Sequence, residues 1–123
     1  MKKLLILALM FLSISLYAQK QPSWIAPAMY KNLKGKGDLT IGKEIYTKSC
    51  KSCHGMKGLG DGVKAASLST FPGDFTKPEF QKKTDGEIYF ISIVGNKEMP
   101  NFEKKFTNEA DRWSLVTYIR SLK

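Results

Sequence analysis

Cys50-Lys51-Ser52-Cys53-His54 is the stretch on which the reading of the whole chain turns. It holds both cysteines and the single histidine of a 123-residue sequence. Scattered at random, those three residues would fall into C-x-x-C-H order about once in 7,600 arrangements, so the spacing is a signal. Two cysteines and one histidine exclude a four-ligand zinc finger and a multi-disulfide scaffold. A thioredoxin-type C-x-x-C follows a strand in a βαβ unit. Here a helical pattern leads in and a glycine-rich segment leads out. A bare disulfide would close too few residues to stabilise much. A metal site of two cysteines and one histidine lacks a fourth ligand of the usual kind.

The reading that accounts for all three residues is attachment of a c-type haem. Two thiols at this spacing add to the vinyl groups of adjacent pyrroles, and the next residue reaches back over the ring so that its imidazole meets the iron. The expected cofactor is therefore one covalently bound haem c per chain, held by Cys50 and Cys53, with His54 as an axial ligand. No second histidine exists to complete a bis-histidine site. Met56 is too close to His54 to reach the opposite face of the ring, and Met29 lies before the motif. Met99, in a loop ahead of Pro100, can close over the far side and is the expected second axial ligand. Its soft thioether favours Fe(II) and raises the potential relative to a bis-histidine site.

Working outward, Asp38 is a good N-cap for a helix from about Leu39 to Ser49, with Ile41, Ile45 and Tyr46 on one stripe. Gly55 to Gly73 reads as loop, with one helical turn at Val63–Leu68. Thr84-Asp85-Gly86-Glu87 has the spacing of a capping box and predicts a helix over Asp85–Val94, stopped by Gly95. Asn96 to Phe106 is loop. Thr107 or Asn108 caps a last helix running to about Leu122. No stretch shows sustained period-two alternation, so the expected class is all-α, with three to four short helices and long loops. Loops that long in so small a domain need a large bound group to fold around.

The N-terminus reads as an address. Met1–Ala18 has Lys2 and Lys3, then an apolar run from Leu4 to Tyr17, then a small residue. That is the layout of a secretory signal peptide, and the run is short for a membrane span. Three segments are expected: a signal peptide at 1–18, an N-terminal arm at 19–37 and one domain at 38–123. The arm is expected to be extended, with Trp24, Ile25 and Met29 against the domain. Export to the periplasm, with no stable membrane span after cleavage, puts Cys50 and Cys53 where thiols do not stay free. A hydrophobic fraction of 42% and a charged fraction of 25% describe a globular chain.

Four patches resemble the class I, monohaem c-type cytochromes over roughly residues 37–123. They are CKSCHG at the motif, GLGDG after it, EMPNF around Met99, and the ending DRWSLVTYIRSL. The resemblance implies the cytochrome c fold, with the first and last helices crossing at Gly42 and Tyr46 against Leu115 and Tyr118. One position departs. Many members have a proline just after GDG whose carbonyl accepts from the ligand histidine, and this chain has Val63 there.

With both axial positions filled, the expected work is one-electron, outer-sphere transfer, not an enzymatic reaction. Phe71, Phe75, Ile88, Ile91, Val94 and Phe102 are the expected dry walls. The formal charge of +9, with Lys51, Lys57, Lys97, Lys104 and Lys105 near the motif and the methionine loop, suits redox partners with acidic docking surfaces. The charge is scattered without a basic helix or stacking series, so nucleic acid is not an expected partner. Two alternatives remain: a haem-bearing subunit of a larger oxidase or dehydrogenase, docked through the arm, and a haem enzyme or gas sensor with an open sixth position.

Overall fold

The computed structural model describes residues 25–96 and 98–123. The expected signal peptide, Trp24 and Lys97 lie outside the described residues. The helices are α1 (Ala28–Lys31), α2 (Leu39–Ser49), α3 (Lys51–His54), α4 (Pro78–Gln81), α5 (Asp85–Tyr89) and α6 (Glu109–Ser121), with a 3₁₀ turn at Ala65–Ser67. α5 continues directly into a π-helical turn, Phe90–Val94. Among the described residues there is no strand, so the all-α expectation holds. Three elements carry the architecture: α2, α5 with its π turn, and α6.

Each of the three starts where the sequence predicts a cap. The Asp38 carboxylate accepts from the backbone N–H of Thr40 at 2.7 Å and of Ile41 at 2.9 Å. Thr84 and Glu87 form the reciprocal box, the Thr84 hydroxyl accepting from Glu87 N at 3.2 Å and the Glu87 carboxylate from Thr84 N at 2.7 Å. Asn108 caps α6 through a 2.9 Å bond from Ala110 N. These contacts satisfy N–H groups that the helices cannot satisfy internally.

α2 and α6 cross where α2 has no side chain. A Cβ on Gly42 would run into the Ser114 backbone carbonyl and the Cβ of Tyr118. The glycine costs helix propensity and permits backbone-to-backbone approach. The crossing is fastened at the entry to α2: Asp38 N donates to Ser114 Oγ at 2.9 Å, and Gly37 N to Thr117 Oγ1 at 3.1 Å. Tyr46 and Tyr118 then meet with ring centroids 5.2 Å apart, and Leu115 is fully buried beside them. The crossing implied by the resemblance is therefore present. The expected α2 stripe is only partly right. Tyr46 is buried, Ile45 packs against the core, and Ile41 faces outward because Gly42 takes the inner position.

The segment before α2 also differs from expectation. It contains the helical turn α1, and its inward residues are Ala26 and Tyr30, with Tyr30 against Phe90 at 4.7 Å. Ile25 and Met29, expected against the domain, are exposed. The short α4 has no counterpart in the sequence reading. Among the described residues, no helix is long and apolar enough to cross a membrane.

Candidate functional site

α2 runs almost directly into α3, with Cys50 as the joint between them. This places Cys50, Cys53 and His54 on the end of one helical rod, and the core is built around it. The carbonyls at that end are claimed by the glycine loop folding back. Lys64 N donates to Ser52 O at 2.7 Å, Gly62 N to Cys53 O at 3.2 Å, and Gly60 N to His54 O at 2.9 Å. The fully buried Tyr46 donates its hydroxyl to Gly55 O at 2.7 Å. Burial pushes that phenol well above its usual range, so it stays a donor.

The methionine loop comes from the other end of the fold. Gly95, at φ 73°, ends the π turn, and a Cβ there would strike the Met99 and Pro100 carbonyl oxygens. Asn96 then closes the turn: its side-chain oxygen accepts from Glu98 N at 2.9 Å and Met99 N at 3.3 Å, and its own N–H donates to Met99 O at 3.0 Å. Phe102 N returns to Ile93 O at 2.8 Å.

Between these two constructions lies a cavity of about 580 Å³. That is the size of a small-molecule or cofactor pocket, roughly 300–1,000 Å³. Cys50, Cys53, His54 and Met99 all line it. Met56 is 53% exposed and Met29 75% exposed, and neither borders it. Of the expected walls, Phe71, Phe75, Ile88 and Ile91 are there. Val94 and Phe102 are not among the lining residues. Phe102 instead stacks on Phe106 at 5.3 Å, because the loop turns away after Pro100. The sequence reading missed Leu68, Pro72, Phe80 and Ile119. Phe80 sits on the unexpected α4, where Pro78 at the first position was the available sign of a helix start.

The electrostatics suit a neutral metal ligand rather than a reactive thiol pair. Burial pushes the His54 imidazole down to about 4, so it is neutral at neutral pH with a free lone pair. Contact with the Pro72 backbone acts in the other direction but falls short of hydrogen-bond geometry, and Nδ1 is buried without a partner. Val63 plays no part here: it is 94% exposed. The ring stacks on Phe75 at 4.7 Å, and Phe75 on Phe80 at 4.5 Å. Burial also pushes the Cys50 thiol up to about 12, against the attraction of Lys105. A redox-active cysteine has its pKa lowered instead. Cys50 and Cys53 form no disulfide. Among the described residues, no group of three or more His, Cys, Asp or Glu is placed to hold a bare metal ion.

Two cysteines without a disulfide, a neutral buried imidazole whose Nδ1 has no hydrogen-bond partner, and a methionine, all lining one apolar cavity, fit a covalently attached haem. The helical fold and this donor set define a c-type cytochrome. The chain belongs to the family described as cytochrome c oxidase, cbb3-type, subunit III, whose model matches residues 37–119. It is similar to the cytochrome bc1 complex cytochrome c subunit of Corynebacterium diphtheriae, 24% identical over 78% of this chain and 31% of that protein. The corresponding subunit of Corynebacterium efficiens is 22% identical over 70% of this chain and 26% of that protein. The chain thus spans about a third or less of the curated relatives it matches. Among solved structures, the KustC0563 c-type cytochrome is 30% identical with a TM-score of 0.56, covering 67% of this chain and 96% of that one. A chain of the Kuenenia stuttgartiensis reducing HAO-like protein complex is 29% identical with a TM-score of 0.63, covering 86% of this chain and 52% of that one. A c-type cytochrome domain carries electrons on covalently bound haem c.

Proposed function

We propose that this chain is a one-electron carrier with a single haem c, thioether-bonded to Cys50 and Cys53 and ligated by His54 and Met99. When bound, the haem supplies an Fe(III)/Fe(II) couple. The protein's part is to hold and insulate it. His54, kept neutral by burial, offers its lone pair, and the stack of Phe75 on its ring resists rotation. Met99 is presented from a turn closed by Asn96. Phe71, Ile88 and Ile91 exclude water, which favours the less charged ferrous state. With His54 and Met99 both holding the haem iron, no position would be left for a substrate, which supports a carrier rather than an enzyme.

The observation that carries this reading is that all four donors, from two distant parts of the sequence, line one apolar cavity. The test is spectroscopic. Protein matured in a host with haem-attachment machinery is expected to give a pyridine haemochrome of the c type at one haem per chain. Its ferric state is expected to be low-spin with a sulfur-to-iron charge-transfer band. A high-spin ferric spectrum with turnover of peroxide would replace the carrier with an enzyme.

A second reading is supported by the relatives: they are subunits of complexes, and this chain matches only part of each. In it the chain is the haem-bearing subunit of a larger assembly. Size exclusion of the native extract separates the two. The formal charge of +9 supports an acidic redox partner, although of the expected lysines Lys51, Lys57, Lys104 and Lys105 do not line the cavity; Lys83, Glu79 and Glu98 do. The basic, then apolar, start of the chain supports export to the periplasm. N-terminal sequencing of the mature protein is expected to begin at Gln19.

A further inference from the structure

We infer that Arg120, which does not line the cavity, is a positioning residue that sets the reduction potential by holding the aromatic wall behind His54 closed. Its side chain leaves α6 and spends all three guanidinium nitrogens on one short segment. Nε and Nη2 donate to Asp85 Oδ1 at 3.0 and 2.9 Å, Nη1 to the Gln81 carbonyl at 2.8 Å, and Nη2 to the Lys83 carbonyl at 2.5 Å. Two of these acceptors are carbonyls at and just beyond the C-terminal end of α4, which the four-residue helix cannot satisfy itself. The third is a carboxylate in the first turn of α5. Gln81 passes the tie onward, its side-chain amide donating to the Phe75 carbonyl at 2.6 Å.

The segment held in this way supplies one wall of the cavity. Phe75 stacks on the His54 ring and Phe80 stacks on Phe75. The α4 helix that carries Phe80 is a single turn and has no side-chain cap of its own. A helix of that length is not stable by itself in water. The planar fork of Arg120 meets two carbonyls and a carboxylate at once, which a lysine ammonium on a flexible stem cannot reproduce. Released from it, the Phe75–Phe80 stack loosens and water reaches the histidine side of the site. Water stabilises the more charged ferric state, so the potential falls.

This inference rests on the proposed haem function, and the test keeps the two apart. Wild-type holoprotein is examined first; absence of haem there defeats the functional reading and is independent of Arg120. Given a wild-type holoprotein, Arg120→Gln and Arg120→Lys are titrated for reduction potential and scanned for the ferric sulfur-to-iron band. The expected result is a lowered potential in both variants, with the band retained because Met99 sits on the other loop. Arg120→Lys keeps the charge and is expected to lie nearer to Arg120→Gln than to wild type. A lysine variant nearer to wild type would show that charge, not the fork, matters, and would overturn the inference. So would a glutamine variant with a lower melting temperature and an unmoved potential. Should neither variant accumulate, Gln81→Met removes the onward link to Phe75, together with the longer contacts of the same side chain to the Leu122 carbonyl at 3.4 Å and to Arg120 Nη1 at 3.5 Å, and leaves the backbone bonds of Arg120 in place. It is expected to lower the potential in the same direction, and an unchanged potential there overturns the inference as well.

Discussion

The histidine side and the methionine side of the cavity are built in different ways. On the histidine side, three successive carbonyls of the rod each receive a backbone N–H from the glycine loop, and aromatic rings back the imidazole. On the methionine side, among the described residues, the turn that carries Met99 is closed by the Asn96 side chain, with Phe102 N returning to Ile93 O behind it and Arg112 holding the Glu103 and Phe106 carbonyls further along the loop. Distributed backbone bonds hold the carbonyls of the rod in the first region, whereas its aromatic wall depends on the tie from Arg120. In the second, the bonds close to Met99 converge on the Asn96 side chain. Met99, the proposed ligand of that side, is therefore the residue expected to leave first when the protein is perturbed, since exposed loops are where local opening is cheapest.

The largest effect tests whether the histidine side can form at all without its covalent bonds. Cys50→Ala/Cys53→Ala is expected to abolish haem retained through denaturing gel electrophoresis and to leave a chain without cooperative unfolding by circular dichroism. A cooperatively folded, colourless double variant would mean that the cavity does not need its occupant. Next, Met99→Ala is expected to keep the covalent haem while losing the sulfur-to-iron band, with a lower potential by spectroelectrochemistry. Retention of the band would move ligation to another sulfur.

Gly42→Val probes the frame common to both sides. Its side chain would be driven into the Ser114 carbonyl. A loss of about 2–3 kcal/mol is expected from overpacking, read by guanidinium unfolding of the holoprotein. Asn96→Ala sharpens the contrast directly. It is expected to cost about 1 kcal/mol and to make the methionine band disappear on heating well before helicity is lost. Coincident loss would equalise the two sides. Thr84→Ala, which removes half of the capping box far from Met99, is expected to cost about 1 kcal/mol with no effect on the band.

The helix starts were legible because capping is local: Asp38, Thr84 and Asn108 act on N–H groups two or three residues away. That Cys50, Cys53 and His54 would share one cavity was legible for a different reason, scarcity. One histidine and two cysteines in one pentapeptide leave little to choose between. The walls were less legible. Val94 and Phe102 are apolar and adjacent to real wall residues, yet the π turn and the loop after Pro100 direct them elsewhere. A π turn adds a residue to the helical register, which no periodicity of 3.6 anticipates. Met29 and Ile25 were read as inward because they are apolar, while the single turn α1 gave that place to Ala26 and Tyr30.

From the order of residues alone came the C-x-x-C-H pentapeptide, the helical class, the caps and the singling out of Met99 over Met29 and Met56 as the methionine at the cavity, since each rests on spacing within a few residues or on there being little competition. Only the folded molecule decided that Pro72, not Val63, stands by the histidine, that Phe80 arrives on a one-turn helix, and that a distant arginine secures it. Those depend on which backbone segments approach one another across the whole chain, and contacts at long sequence separation leave no mark in local pattern.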